Sequence, residues 1–243
     1  MTDPLDGALA GRVILVTGAS RGIGQAVARA CAAAGATVVA AARNVRELEA
    51  FADAVEDAGQ PAPVLLPINL EAASADDYAT IAGHLDERFG RLDGLALIAG
   101  ALGELSPLPI YDAVTWARVF QVNVHSALLL TQACWPLLRA SEHGRLVVTL
   151  AEEAFAAKPN WGAYAASKAA LRAMFEMWAA EVANDPALRV GAVVPGPLRT
   201  RLRLNAFPAL DPARLAVPEI IAPAYVELLG AAARNGTVWR QAA

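Results

Sequence analysis

The amino-acid sequence predicts a doubly wound parallel α/β sheet with helices on both of its faces. Short apolar segments alternate with helix-length segments along nearly the whole chain, which is typical of βαβ units joined by right-handed crossovers. The apolar segments are continuous and do not alternate with polar residues, as expected for strands that are covered on both faces. The first of them runs directly into a glycine-rich turn and a helix.

The predicted elements follow one another in a regular order. Seven strands are expected, at residues 12–17, 37–42, 63–68, 92–98, 145–150, 189–194 and 237–240. Six helices are expected between them, at residues 22–34, 45–58, 75–89, 111–138, 161–182 and 218–229. The long irregular segment 196–217 is rich in Pro and Arg and is predicted to be a substrate loop. No linker divides the chain, so we expect a single domain over residues 1–243.

Composition excludes several classes of function. The chain has 243 residues, of which 56% are hydrophobic and 18% charged, which suits a well-buried core and excludes intrinsic disorder. A net charge of −4 gives no electrostatic basis for binding nucleic acid or an anionic membrane. No apolar segment is long enough to span a membrane, and residues 1–11 do not resemble a signal peptide. We therefore expect a cytoplasmic protein without nucleic-acid or membrane partners.

The cysteines and histidines show no spacing typical of a metal site. Cys31 and Cys134 lie in predicted helices and are expected to be buried thiols in a reducing compartment. His84, His125 and His143 are isolated from one another, so no metal is predicted.

The turn after the first strand is the first candidate binding motif. It reads Thr17-Gly-Ala-Ser-Arg-Gly-Ile-Gly24, a G-x-x-x-G-x-G spacing between a strand and a helix. Glycines let the backbone approach a pyrophosphate, whose charge is favoured by the helix dipole and the free N–H groups. A purely structural turn is the alternative, but the position in a βαβ pattern favours dinucleotide binding.

A second motif, Tyr164-x-x-x-Lys168, lies on a predicted helix, where residues four apart share a face. A nearby ammonium favours the phenolate and is expected to lower the pKa of the tyrosine toward a range useful for general acid–base catalysis. A solvated Tyr–Lys pair is the alternative. Only two of the chain's 20 basic residues are lysines, and one stands where a compact ammonium would be required.

These two motifs, in this order, resemble those of the compact form of the short-chain dehydrogenase/reductase family, over essentially the whole chain. The resemblance implies a Rossmann fold of about seven strands and hydride transfer between a nicotinamide and a carbonyl or alcohol. It further implies that Tyr164 is the acid–base, that Lys168 binds the nicotinamide ribose, and that Asn123 holds a water of a proton relay. The implied cofactor-binding residues are Gly18, Ser20, Arg21, Gly22, Ile23, Gly24, Arg43, Asn69, Leu70, Ala99, Gly100, Tyr164, Lys168, Pro195, Gly196 and Thr200.

The end of the second predicted strand indicates which dinucleotide is bound. NAD-binding sheets place an acidic residue there, to accept a hydrogen bond from the adenosine ribose. Here the strand ends in Ala42 and Arg43, and Arg21 lies in the glycine turn. Two guanidinium groups suit a 2′-phosphate, so NADP(H) is predicted in preference to NAD(H). Stacking of Arg43 on adenine is the alternative role.

The sequence departs from the family pattern at the reaction centre. Ala151 stands thirteen residues before Tyr164, where the family has a serine that donates to the substrate carbonyl, and Leu97-Ile98 replaces two asparagines. Thr149 and Glu152 are the nearest polar candidates to replace the serine. A carbonyl reductase or alcohol dehydrogenase is the leading hypothesis, and a cofactor-binding pseudoenzyme is the alternative. An enoyl reductase is disfavoured, since that relative spaces its tyrosine and lysine more widely.

Two further features have open interpretations. Arg199, Arg201 and Arg203 either form a solvated charged loop or meet an anionic substrate. The apolar helices 111–138 and 161–182 are similar to those through which the family forms oligomers, so a homodimer or homotetramer is expected on that resemblance.

Overall fold

The structure, a computed structural model, describes residues 7–156 and 158–241. Seven parallel strands form one sheet in the order β3-β2-β1-β4-β5-β6-β7. The strands are β1 Val13–Thr17, β2 Thr37–Ala42, β3 Val64–Pro67, β4 Gly94–Leu97, β5 Arg145–Thr149, β6 Arg189–Val194 and β7 Thr237–Arg240. The predicted doubly wound parallel sheet is confirmed, and each predicted strand is present within two residues of its expected ends.

Helices cover both faces of the sheet and bury its apolar side chains. They are α1 Gly22–Ala33, α2 Val45–Glu56, α3 Ala75–Phe89, α4 Ala113–Phe120, α5 Ser126–Ala140, α6 Gly162–Glu181, α7 Arg201–Ala206 and α8 Ala222–Leu229. One core joins the sheet to α1, α2 and α8, and the other joins it to α3, α5 and α6. Burial of both faces explains why the strands have no polar alternation.

Three helical predictions need correction. The segment 111–138 is not one helix, because a wider π-helical turn at Gln121–His125 separates α4 from α5. Such a wide turn occurs within an otherwise α-helical segment, and the apolar residues are so frequent on both sides of it that the sequence pattern does not reveal it. Residues 218–229 begin as a 3-10 helix, Pro218–Ile221, before α8. The segment 196–217 contains α7, which Thr200 caps by accepting from the Arg203 N–H at 3.2 Å.

Buried charged groups hold the strands together at their amino ends. Asp93 accepts from the Val13 N–H at 2.8 Å and from the Ser141 hydroxyl at 2.6 Å. Arg145 donates to four carbonyls around the start of β5, those of Gly144, Ala187, Gly230 and Ala231. Its burial lowers the pKa of Arg145 to about 10. These bonds lie at the edge of the sheet opposite the cavity described next.

Candidate active site

A cavity of about 720 Å³ runs along the carboxyl ends of the strands. This is where parallel α/β sheets bind their ligands. Every residue predicted to bind the cofactor lines it, from the glycine turn through Arg43, Asn69 and Ala99 to Thr200. The structure therefore brings together, at one edge of the sheet, side chains that are far apart in sequence.

The glycine turn shapes one end of the cavity. A Cβ on Gly24 would lie 2.1 Å from the Gly18 carbonyl oxygen, so only glycine allows this close turn. Gly18 has a φ of +71°, in the left-handed region that favours glycine. No side chain caps the start of α1, and its first turn holds no acidic residue. The N–H groups and the positive end of the helix dipole are therefore available to an anion such as a pyrophosphate.

Two arginines lie at this same end of the cavity. Arg21 precedes α1 and Arg43 follows β2, and both are exposed. Among the described residues, neither guanidinium is paired with a carboxylate. A dinucleotide fits this end of the cavity. The glycine turn carries no side chains that would keep a phosphate from its backbone N–H groups, and the two arginines are available to phosphate oxygens.

Lys168, on α6, is buried at the centre of the cavity wall, with only 3% of its surface exposed. Its Nζ donates to the Thr149 carbonyl at the end of β5, at 2.7 Å. Burial lowers the pKa of Lys168 to about 8, because the charged form loses its hydration. The lysine thus has a fixed position beside the cavity and a weakened hold on its proton.

Tyr164 lies one helical turn before Lys168 and is 7% exposed. Its ring packs beside Trp161, with the ring centroids 5.7 Å apart. Burial raises the pKa of Tyr164, the negative charge of Glu153 raises it further, and the positive charge of Arg203 opposes both. The expectation of a lowered pKa was therefore wrong, because desolvation of the phenolate and the charge of Glu153 outweigh the positive charge of Arg203.

Asn123 does not line the cavity. It lies in the π-helical turn, where its Nδ2 donates to the Ala101 carbonyl and to the Ser167 hydroxyl, both at 2.9 Å. Its Oδ1 accepts from the Ala101 N–H at 2.7 Å, and the Ser167 hydroxyl donates to the Tyr164 carbonyl at 2.8 Å. In this arrangement the Asn123 side chain fixes the loop after β4 against the helix that carries Tyr164, and both of its amide donors are occupied.

Ala151 lines the cavity beside Tyr164, in a small apolar cluster with Trp161 and Ala206. The two predicted replacements for the missing serine are engaged elsewhere. The Thr149 hydroxyl shares a 2.8 Å hydrogen bond with the Tyr225 hydroxyl. Glu152 is half exposed and lies 3.4 Å from the Arg240 guanidinium. Both side chains are therefore engaged with partners other than a ligand at the position that Ala151 leaves vacant.

The sequence reasoning missed Glu153, which is only 9% exposed and lines the cavity near Tyr164. Its carboxylate pairs with Lys158 Nζ at 3.2 Å. Strand β5 ends at Thr149, and residues 152–154 form a 3-10 turn, so the alternation of side chains along a strand does not extend to Glu153. Two adjacent carboxylates after a buried strand were the only signal for it in the sequence.

The turn that carries Glu152 and Glu153 is held from outside by an aromatic–cation stack. The Arg240 guanidinium lies 4.0 Å from the centroid of the Phe155 ring, and the Arg172 guanidinium lies 4.9 Å from it. Arg240 belongs to β7 and also reaches Glu152. The last strand of the sheet therefore contacts the wall of the cavity.

Thr17 fixes the backbone at Leu97-Ile98, the position where the family has two asparagines. Leu97 and Ile98 are buried apolar residues at the end of β4. The Thr17 hydroxyl accepts from the N–H groups of Ile98 at 2.9 Å and Ala99 at 3.1 Å, and donates to the Ala96 carbonyl at 3.2 Å. One hydroxyl on β1 thus fixes the backbone after β4 without side-chain amides on β4.

A doubly wound sheet with a glycine turn, a buried Tyr–Lys pair and one cavity at the carboxyl ends defines a dinucleotide-binding α/β enzyme. Residues 12–210 match the family model described as short chain dehydrogenase. The uncharacterised oxidoreductase YciK of Escherichia coli (strain K12) is 38% identical over 93% of this chain and 89% of its own length.

Solved structures agree with this assignment. A short chain dehydrogenase from Salmonella enterica matches with a TM-score of 0.94 and 38% identity over 98% of this chain and 99% of that one. An Escherichia coli CFT073 protein assigned to the short chain dehydrogenases, solved in complex with NADPH, matches with a TM-score of 0.93 and 38% identity over the same shares. The chain belongs to the short-chain dehydrogenase family and is an oxidoreductase, which confirms the resemblance. Nothing in these comparisons favours the pseudoenzyme alternative.

The described part of the chain contains neither a group of metal-ligating side chains nor a membrane-spanning helix. Within residues 7–156 and 158–241, no group of three or more His, Cys, Asp or Glu side chains is placed to hold a metal. No helix in the same ranges is both long enough and apolar enough to cross a bilayer.

Proposed function

We propose that this protein is an NADP(H)-dependent reductase of small carbonyl compounds, or in reverse a dehydrogenase of the corresponding alcohols. The observation that carries the proposal is the position of Tyr164 and Lys168 in the same cavity as the glycine turn. A nicotinamide dinucleotide supplies a hydride from its C4 atom when bound. The carbonyl carbon accepts that hydride, and its oxygen takes the proton of the Tyr164 hydroxyl.

Tyr164 carries its proton at neutral pH. Burial and the charge of Glu153 raise the pKa of the phenol, so the proton donor is the neutral hydroxyl, and a nearby positive charge is needed to ease the release of its proton. Lys168 is fixed by the Thr149 carbonyl with its ammonium at the cavity wall, where it is available to a ribose hydroxyl. Asn123 acts as a positioning residue for the Tyr164 helix, through Ser167.

The test of this function is consumption of NADPH with a panel of ketones and aldehydes, followed by its absorbance at 340 nm. We expect turnover that Tyr164→Phe reduces by at least ~10²-fold, the usual contribution of a positioned general acid. The variant should keep its affinity for NADPH, since the ring packing on Trp161 is retained. Binding of NADPH with no Tyr164-dependent turnover anywhere in the panel would refute the proposal.

The preference for NADP(H) is carried by Arg21 and Arg43. Relatives from Escherichia coli CFT073 and Shigella flexneri were solved with NADPH and with NADP, respectively, which supports the assignment. We expect calorimetry to give a lower Kd for NADPH than for NADH. Arg43→Ala should raise the Kd for NADPH about tenfold or more, because a charge-assisted hydrogen bond is lost, and should change that for NADH little. An equal change for both cofactors would indicate stacking of Arg43 on adenine instead.

We also propose that the protein is a homodimer or homotetramer in the cytoplasm. The segment before α4 and the start of α4 expose three large apolar side chains, Leu108, Ile110 and Val114, each at least 65% exposed. Large apolar side chains exposed close together along the chain favour self-association. Both cysteines are free and buried, which suits a reducing cytoplasm. Light scattering of the wild-type protein and of an Ile110→Lys variant would test the proposed oligomer.

A further inference from the structure

Arg203 does not behave as part of a solvated charged loop. Arg199, Arg201 and Arg203 all line the cavity, but Arg203, on α7, is half-buried, whereas the other two are exposed. The Arg203 guanidinium lies 4.1 Å from the centroid of the Phe207 ring. Phe207 packs on Trp161, which in turn packs on Tyr164. The guanidinium therefore lies at the end of a row of aromatic rings that leads to the proposed acid–base.

The charge of Arg203 is uncompensated within the part of the chain that the structure describes. Its Nε is buried and has no hydrogen-bond partner there. The three carboxylates that line the cavity are each paired with another cation, Glu71 with Arg118, Glu152 with Arg240, and Glu153 with Lys158. A buried donor without an acceptor is unfavourable, so a ligand in the cavity that brings an acceptor to this side chain is favoured.

The position is close to the reaction centre. The positive charge of Arg203 acts on the phenol of Tyr164, against the charge of Glu153. Ala206, one turn further along α7, packs in the same cluster as Ala151 and Tyr164. The helix that carries Arg203 thus packs against the place where the family serine is missing.

We propose that Arg203 binds a carboxylate of the substrate, and that the natural substrates are oxo acids whose ketone lies near Tyr164. This deepens the proposed function and rests on it. A guanidinium presents N–H donors in a fixed plane that matches the two oxygens of a carboxylate. Binding the substrate through its carboxylate orients the ketone toward Tyr164 and so compensates for the donor lost at position 151.

The experiment compares matched substrates in matched variants. A series of 2-, 3- and 4-oxo acids is assayed beside the corresponding primary amides, which keep the ketone and lose the charge. The variants are Arg203→Gln, Arg203→Lys, and the control Arg214→Gln. Arg214 is exposed in the 3-10 turn Pro212–Arg214 and does not line the cavity, so the control removes the same charge from the same segment.

We expect the wild-type protein to prefer at least one acid over its amide. Arg203→Gln should lower kcat/KM for that acid by about 10²-fold more than for its amide, mostly through KM. A smaller loss shared by both substrates reports the charge that Arg203 exerts on Tyr164. Arg203→Lys should retain part of the preference, since it keeps the charge without the planar pair of donors. Arg214→Gln should behave as wild type. Equal rates for acid and amide in the wild-type protein, or equal losses for both in Arg203→Gln, would overturn the inference. A raised Kd for NADPH with an unchanged KM for the acid would overturn it as well.

A binding measurement separates this inference from the proposed function. The saturated acid, which has no ketone to reduce, is titrated by calorimetry into the protein–NADPH complex of each variant. Arg203-dependent binding without turnover of any carbonyl compound would refute the reductase and support the carboxylate site. Turnover of ketones without Arg203-dependent binding of acids would refute only the carboxylate site. Thermal unfolding of each variant verifies that it folds.

Discussion

Replacing Lys168 with Met should make the ligand-free protein more stable while abolishing its activity. The lysine is buried, and burial lowers its pKa from the ordinary value of 10.5 to about 8. That difference means that the charged Lys168 side chain lowers the free energy of unfolding by about 3 kcal/mol at neutral pH. Methionine has a similar length and no charge, so it removes this cost. It also leaves the Thr149 carbonyl without its donor, a loss of ~1–2 kcal/mol.

The net gain is therefore about 1–2 kcal/mol at pH 7. For a protein of this size, that corresponds to a rise in Tm of about 3–6 °C. The gain should depend on pH. Between the folded pKa of about 8 and the unfolded value of 10.5, the unfolded wild-type chain binds more protons than the folded one. The stability of wild type consequently rises with pH in this window, and the advantage of the variant falls by about 2 kcal/mol by about pH 9.5.

Denaturant or thermal unfolding of the ligand-free proteins at pH 7 and pH 9.5 measures both effects. Lys158→Met is the matched control, since Lys158 is the chain's other lysine. Its side chain is 51% exposed and pairs with the buried Glu153, so its removal leaves a carboxylate without its cation and should lower stability. A lower Tm for Lys168→Met than for wild type at pH 7, or a gain of equal size at both pH values, would refute the reasoning.

Four other substitutions test other parts of the structure. Gly24→Ala should abolish NADPH binding in calorimetry, because its Cβ would overlap the backbone of the turn; a variant that binds normally would contradict this. Ala151→Ser should raise kcat for uncharged ketones by up to ~10²-fold, and an unchanged rate would show that the site uses another donor. Arg145→Met leaves four carbonyls without their donor and should reduce the unfolding free energy by ~2–4 kcal/mol; a loss under ~1 kcal/mol in urea would argue against its role. Glu153→Gln removes a charge that raises the pKa of Tyr164, so the rise of alcohol oxidation with pH should shift to lower pH, and a shift in the other direction would exclude that coupling.

The fold could be predicted from the sequence because its signals are local. Continuous apolar strands, glycine at Gly18 and Gly24, and the i, i+4 pair Tyr164 and Lys168 each depend on neighbouring residues only. The parallel sheet then places the carboxyl ends of all its strands, and the residues that follow them, at one edge. This is why the predicted cofactor-binding residues all line one cavity.

The surroundings of the reaction centre could not be predicted, since they depend on contacts between distant segments. Glu153 comes near Tyr164 through a 3-10 turn that strand alternation does not describe. Arg203 cannot be told from Arg201 in the sequence, and only the packing of α7 on the aromatic rings separates them. Asn123 has its side-chain bonds set by a π-helical turn, which the apolar periodicity does not reveal.

The contact of Arg240 with Glu152 and Phe155 also bears on the order in which the protein becomes active during synthesis. Residues 12–200 contain the glycine turn and the Tyr–Lys pair, yet the turn at Glu152–Ala154 receives part of its outer support from β7, 88 residues after Glu152, and the rest from Arg172 on α6. A nascent chain that has not yet added β7 to the edge of the sheet therefore has an incomplete cavity wall. Long-range contacts of this kind slow folding. We expect competence for turnover to arise late, with the docking of the final strand, after a nucleotide can already be bound.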